Sequence, residues 1–462
     1  MRRIRILAAA LLLVILAAVP AFANSARTRW GGTDASGAVV KGEDCPVVVE
    51  KELLTFDIGQ FPQSHYFDEA EFQAYDASVT AEYTFYNPSD CRVEATLLFP
   101  FGPLPDYGVA GNDTEKYRIT LDGSPVESTL RHTFWIWGAQ FDLENDLGKL
   151  HDGYMEDSFY YPDQLVTKYT YQAADMDLES YDAVSASITV NCEESQTRVL
   201  FPGANGGQTL EEGGVQLISR IEPNETMDVY VIGEPLDLML QWKFHANGAW
   251  DEEIPGTINL VGREDMSLND FVMSEYDEKH GVAEHDWYNA AVEQLNCAYW
   301  QDGVISAFDF EASFNMSHQL MRWYEYDISL EPDQRIVNTV TAPIYPDIDG
   351  DCEPPIYEYT YLLSPAATWA DFGTLDIVIN TPFYMLENSG ESFTWNNPGY
   401  ELHLSDLPEG ELTFVLCSEA KSNAPGIGGM PPKLLFYAAI FLMSIITSAI
   451  YVRRKEKKEC QE

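Results

Sequence analysis

The densest run of groups able to hold a ligand is Asp347-Ile348-Asp349-Gly350-Asp351-Cys352-Glu353, with Glu358 beyond it. Carboxylates on alternate residues of a tight loop are what a hard cation the size of Ca²⁺ requires, and Glu358 stands twelfth counting from Asp347. Asp347, Asp349, Asp351, Glu353 and Glu358 are therefore the candidate metal ligands, and calcium is the cofactor they imply. Cys352 fills the sixth position, where an EF-hand has Gly, and Pro354-Pro355 forbids an exiting helix. The favoured reading is a solvated acidic turn, with a generic calcium loop between strands as the alternative.

Other chemistry is searched for with less return. No G-x-S-x-G, H-E-x-x-H, Walker A or G-x-G-x-x-G pattern occurs, which removes the common nucleophile, zinc and phosphate devices. Ser418-Glu419-Ala420-Lys421 matches S-x-x-K by letters, in a stretch where nothing would desolvate the lysine. Glycoside hydrolysis needs two carboxyl groups about 5 to 10 Å apart. With 74 acidic residues in 462 such pairs arise everywhere, so acid pairs alone select no site. His280 and His285, beside Glu284, straddle Gly281 and share no helix face, which favours a surface loop over a metal site. Trp135, Trp137, Trp300, Trp323, Trp369 and Trp395 could stack sugar rings, yet in β-sandwiches large aromatics mostly fill the core. No catalytic residue is assigned.

The elements that must position these groups are mostly strands. In Ser78 to Tyr86, Val79, Ala81, Tyr83 and Phe85 alternate with polar residues, the period of a half-buried strand. Asn87-Pro88-Ser89-Asp90 turns the chain into a second alternating run through Val93, Ala95, Leu97 and Phe99, so 78–101 reads as a hairpin. Asp122-Gly123 marks another, between Tyr117–Leu121 and Val126–Leu130. Strand patterns continue through 186–201 and 225–232, leaving an irregular acidic excursion near 138–165. Between 236 and 306 the period changes: Ser267 could cap a helix through Asp277, and Tyr288, Val292, Leu295 and Tyr299 form a helical stripe. Alternation returns in 324–330, 336–340, 357–363, 375–379 and 411–416.

The fold class expected is mainly β: an antiparallel sandwich over 24–235, a helical insert over 236–306, a second sandwich over 307–417 and a Gly/Pro-rich stalk over 418–432. The ends place the chain. Residues 1–23 combine a basic start, an apolar run and Ala21-Phe22-Ala23, a secretory signal peptide with Sec-type export. Leu434 to Val452 is 19 residues without a charge, and a basic cluster follows at once. That reads as a transmembrane helix over 433–452 with a cytoplasmic tail of 453–462, leaving the rest outside the cell. Cys45, Cys91, Cys192, Cys297, Cys352 and Cys417 then face an oxidising compartment, where three disulfides with unassigned pairing are permitted, while Cys460 faces the cytoplasm. The net charge of −47 excludes a nucleic-acid binder that works by neutralising phosphates.

Val79 to Gly102 with Tyr117 to Ser128, carrying N-P-S-D, V-E-A and F-P, resembles the vault/inter-alpha-trypsin type of β-sandwich domain found in bacterial membrane-anchored surface proteins. The resemblance implies a sandwich fold and an extracellular scaffold role. In such proteins a von Willebrand A domain with a D-x-S-x-S metal site often follows; the nearest string here, Asp76-Ala77-Ser78-Val79-Thr80, lacks that pattern, so the adhesion site is not carried over. The expectation is a non-enzymatic, membrane-anchored surface protein that binds or scaffolds, with a surface protein or glycan as partner. The alternatives are a cell-surface hydrolase of polysaccharide and a purely structural envelope component.

Overall fold

The structure is a computed structural model. It describes residues 28–423 apart from 43–44, 64–68, 109–115, 137–140, 176–180, 182, 205, 212, 222–224, 236–239, 247–251, 299–303, 306–315, 318 and 391. The described chain is mainly β, as expected, and its strands form five sheets.

An eight-stranded sheet is built around Val48–Asp57, Ser78–Tyr86 and Arg335–Pro343. Ser78–Tyr86 buries Val79, Ala81, Tyr83 and Phe85 and turns the residues between them outward, so the sequence period is realised as a buried face. Across the core stand a six-stranded sheet containing Ile356–Leu362 and Leu412–Cys417, and a four-stranded sheet containing Val93–Pro100, Thr129–Phe134 and Leu320–Leu330. Phe56, Phe85, Tyr359, Tyr361 and Phe414 lie fully buried between them. Each such side chain adds on the order of 2 kcal/mol through area removed from water.

Ser78–Tyr86 and Val93–Pro100 are both strands, but they are not a hairpin. The first pairs with Val48–Asp57 and Arg335–Pro343, the second with Leu320–Leu330 and Val39–Val40. Residues 87–92 carry the chain from one sheet to the sheet facing it, a gap of about 10 Å. Asn87 holds that arch: its Nδ2 donates to the carbonyls of Cys91 (2.8 Å), Leu330 (3.1 Å) and Glu331 (3.1 Å), and its Oδ1 accepts from the Ser89 amide. The Asp122-Gly123 turn closes a short hairpin, with both turn residues at positive φ (47° and 77°). Its strand pairing is Arg118–Leu121 with Ser124–Pro125 and not with Val126–Leu130; the end of that run belongs to Thr129–Phe134, which pairs with Leu320–Leu330 in another sheet.

The strands of 24–235 and 307–417 do not form separate sandwiches in sequence. Val48–Asp57 runs parallel to Phe372–Asn380 in one sheet, and a single core joins residues 30–119 to 326–416. The remaining chain is an insertion. Phe134 and Leu320 are Cα partners on adjacent strands, so the chain leaves and re-enters the outer body at neighbouring points. A sandwich tolerates insertion where its ends already meet, and local periodicity carries no record of which strand is the partner.

The inserted body has two five-stranded sheets, one ordered around Leu165–Ala174 and Thr226–Gly233, the other around Val184–Val190 and Val215–Ile221. Ala186, Ile188, Val199, Val229 and Val231 fill the space between them. The 236–306 segment is helical only in part: Gln241–Ala246, Glu253–Ile254 and Thr257–Ser267 are strands. Thr257–Ser267 is a largely exposed edge strand with no apolar alternation, which hides it from periodicity. Ser267 is an N-cap, its Oγ accepting from the Asp270 amide at 3.0 Å, but the helix it starts ends at Met273. A second helix, Glu284–Cys297, buries Tyr288, Val292 and Leu295 against the first five-stranded sheet.

Residues 1–23, 433–452 and 453–462, to which export, the membrane span and the tail were assigned, lie outside the described residues, as does most of the 418–432 stalk. Among the described residues no helix is long and apolar enough to cross a membrane. Among the described residues Cys45, Cys91, Cys192, Cys297, Cys352 and Cys417 are not joined in disulfides. Two of the thiols have carbonyl partners instead: Cys192 donates to Thr197 O at 3.4 Å and Cys417 to Pro355 O at 3.6 Å.

Candidate functional site

The acidic run singled out above opens the six-stranded sheet. Asp347–Asp349 pairs with Ile356–Leu362, setting Asp347 opposite Glu358 and Asp349 opposite Ile356, while Arg29–Trp30 continues the sheet beyond it. The inward face presents Ile348, Tyr357, Tyr359 and Tyr361 to the core. By alternation Asp347, Asp349 and Glu358 share the outward face, where two carboxyl groups as direct cross-strand neighbours repel.

These groups line a cleft of about 630 Å³ with Trp30, Gly31, Asp106 and Ile356 among its walls. Asp106 Oδ2 accepts from the Gly31 amide and Asp347 Oδ1 from the Gly32 amide, each at 2.5 Å, so one oxygen of each carboxyl fixes the wall. Gly32 has to be glycine, because a Cβ there would overlap the carbonyls of Tyr345 and Pro346. Asp34 precedes the short strand Ala35–Ser36, whose Ala35 pairs with Tyr361. It is exposed to water on one side, yet protein packed around it desolvates the carboxyl. That desolvation, and then Asp347, Glu411 and Glu358, push its carboxyl up to about 6. Burial, and then Asp106, raises Asp347; burial, followed by Asp347 and Glu387, raises Glu358.

The five candidate ligands do not converge. Arg29 pairs with Asp349 (Nη2 to Oδ2, 3.2 Å) and Asp351 (Nε to Oδ2, 3.1 Å), and the Asp351 amide donates to Asp349 Oδ1. Glu353 instead pairs through its backbone with Asn423, and neither it nor Asp351 lines the cleft. Among the described residues no three His, Cys, Asp or Glu side chains form a group that could hold a metal ion. The strand pairing explains this: a ligand loop curls its carboxylates around one point, whereas Asp347–Asp349 is extended.

Asp34 and Asp106 escape sequence reasoning because each stands far from the acidic run in the chain and meets it only through tertiary contact, Asp106 as part of the cleft wall and Asp34 near enough to feel Asp347 and Glu358. The one local signal is Gly31-Gly32, a pair that marks close backbone approach. His280 and His285 stay apart, as the spacing implied: Gly281 ends a 3₁₀ turn at φ 70°, and His285 lies 3.2 Å from Asp286. Trp323 and Trp369 are core residues, whereas Trp395 is 52% exposed.

No protein-family model matches the chain, and no curated protein matches it. Among solved structures it is similar to a Legionella pneumophila protein provisionally named a nutrient binding protein. The TM-score is 0.34 and the identity 9%, over 84% of this chain and 72% of that one, a likeness that supports no argument about fold or function.

Proposed function

We propose that the chain is a non-enzymatic surface binding module, exported and anchored by its C-terminal segment, and that the cleft between Trp30 and Glu358 takes a cationic ligand. One observation carries this reading: burial raises the carboxyls of Asp34, Asp347 and Glu358 above their ordinary range, and neighbouring carboxylates raise each further, Asp347 acting on both Asp34 and Glu358 and Asp106 on Asp347. Such a cluster stores repulsion that a cation relieves. The carboxyls are spread along extended strands rather than gathered round one point, a spacing that suits a basic side chain more than a single metal ion.

The full chain is melted with Ca²⁺, with trilysine and with EDTA, beside an Asp347→Asn/Glu358→Gln variant. A ligand at 100 times its dissociation constant adds about 2.7 kcal/mol, so a rise of several degrees is expected with at least one cation and is lost in the variant. The rise should be larger at pH 7.5 than at pH 5, because Asp34 ionises near pH 6. Equal curves in all three conditions would remove the reading.

A second reading has its own support, since a carboxyl held near pH 6 beside other carboxyls is also the arrangement of an acid/base pair acting on polysaccharide. Glycan cleavage that disappears in Asp34→Asn would favour the hydrolase.

A further inference from the structure

A second concave site lies in the inserted body and shares no residue with the acidic cleft. We propose that it binds a small neutral saccharide. The cleft measures about 440 Å³, and Phe159, Tyr161, Gln164, Ser195, Gln196 and Glu234 are among its walls. A pyranose offers a face of C–H groups and a rim of hydroxyls, so its site needs an aromatic surface with amides, hydroxyls and a carboxylate around it. This lining supplies each. Tyr161 is 47% exposed, leaving ring surface free for stacking.

The wall is built to keep its shape. Asp157 Oδ1 accepts from the amides of Phe159 and Tyr160, both at 2.6 Å, which bends the aromatic loop over the site. The Arg198 guanidinium lies 4.1 Å from the Phe159 ring centroid and 4.6 Å from that of Tyr160, holding both rings from outside the lining. Gly233, at φ 95°, closes the floor; a Cβ there would overlap the Gln196 carbonyl and reach the Phe159 ring.

An independent observation points to a missing partner. Gln164 is 4% exposed and its Oε1 has no hydrogen-bond partner. A buried acceptor left unmade is costly, and a turn of the Gln164 side chain toward the cleft would let a ligand hydroxyl meet it. Charge narrows the class. No Lys or Arg lines the cleft, Glu234 does, and the whole chain carries −47, so an anionic sugar is disfavoured and a neutral one is admitted.

The test is a thermal melt of the full chain with glucose, galactose, mannose, N-acetylglucosamine and cellobiose, each at about 10 mM, with glucuronate as the charged control. At least one neutral sugar is expected to raise the midpoint by about 2 °C or more. Tyr161→Ala should abolish that rise, Tyr161→Phe should keep most of it, and Trp395→Ala, far along the chain and equally exposed, should leave it unchanged. The proposal is overturned if none of the neutral sugars shifts the midpoint, if glucuronate shifts it as much, or if Tyr161→Ala responds like the unaltered chain. None of these outcomes depends on the acidic cleft, which Asp347→Asn/Glu358→Gln disables separately.

Discussion

Glu52 carries a carboxyl into the middle of the outer core, at 1% exposure. Its Oε1 accepts from the Tyr361 hydroxyl at 3.3 Å, and Oε2 has no partner. Burial pushes its pKa from 4.5 up to about 7, with Tyr83 and Tyr361 pulling weakly the other way. Between those values the folded chain keeps a proton that the unfolded chain has lost, so stability falls as pH rises from 4.5 to about 7 and is level above. The contribution lost across that window is about 3 kcal/mol. In Glu52→Gln the stability difference between pH 5 and pH 8 should shrink by that order, read by urea denaturation. An unchanged difference would mean that Glu52 ionises in the core without cost.

At the scale of elements, the arch at 87–92 decides whether two strong strands pair with each other or face each other. Asn87 is fully buried and satisfies three carbonyls from two separate strand ends. Asn87→Ala should cost about 3 kcal/mol, since the two N–H groups shared among one buried and two part-buried carbonyls would be lost at once. Loss of that size with an unchanged denaturant slope is the expected result; a loss under 1 kcal/mol would show that water replaces the amide. The N-P-S-D string reads equally well as a hairpin turn, and only the partners of Asn87 Nδ2 distinguish the two.

For the whole molecule, the inserted body is joined to the outer one through a buried ionic node. Arg131 reaches Asp286 on the Glu284–Cys297 helix at 3.2 Å and Glu325 on the neighbouring strand at 2.8 Å; Lys41 also pairs with Glu325 at 3.0 Å. Asp286 accepts in addition from the His132 amide at 2.9 Å. Burial, then Arg322 and Arg131, lowers the His132 ring to about 3, so it adds no positive charge at neutral pH. Removing one partner of a buried pair costs about 3 to 5 kcal/mol, whereas removing both can be near neutral. Arg131→Met should therefore destabilise strongly, and Arg131→Met/Asp286→Leu should recover part of the loss in a double-mutant cycle. Additive losses would show that the node holds no coupling.

Much of this was written locally. The alternation of 78–86, the Asp122-Gly123 turn, the Ser267 cap and the Tyr288/Val292/Leu295 stripe depend on neighbours a few residues away, and all four stand in the structure. Asp347 and Glu358 were singled out for the same reason, as neighbours in one short acidic run. Tertiary structure alone decided that residues 48–57 lie beside 372–380, that 135–319 is an insertion, that Arg29 pairs with Asp349 and Asp351, that Asp106 joins the cleft and that Asp34 comes near its carboxyls. The physical reason is range. Periodicity reports which face of a strand is buried, but strand partners and ion pairs are chosen by packing across hundreds of residues, for which no local pattern codes.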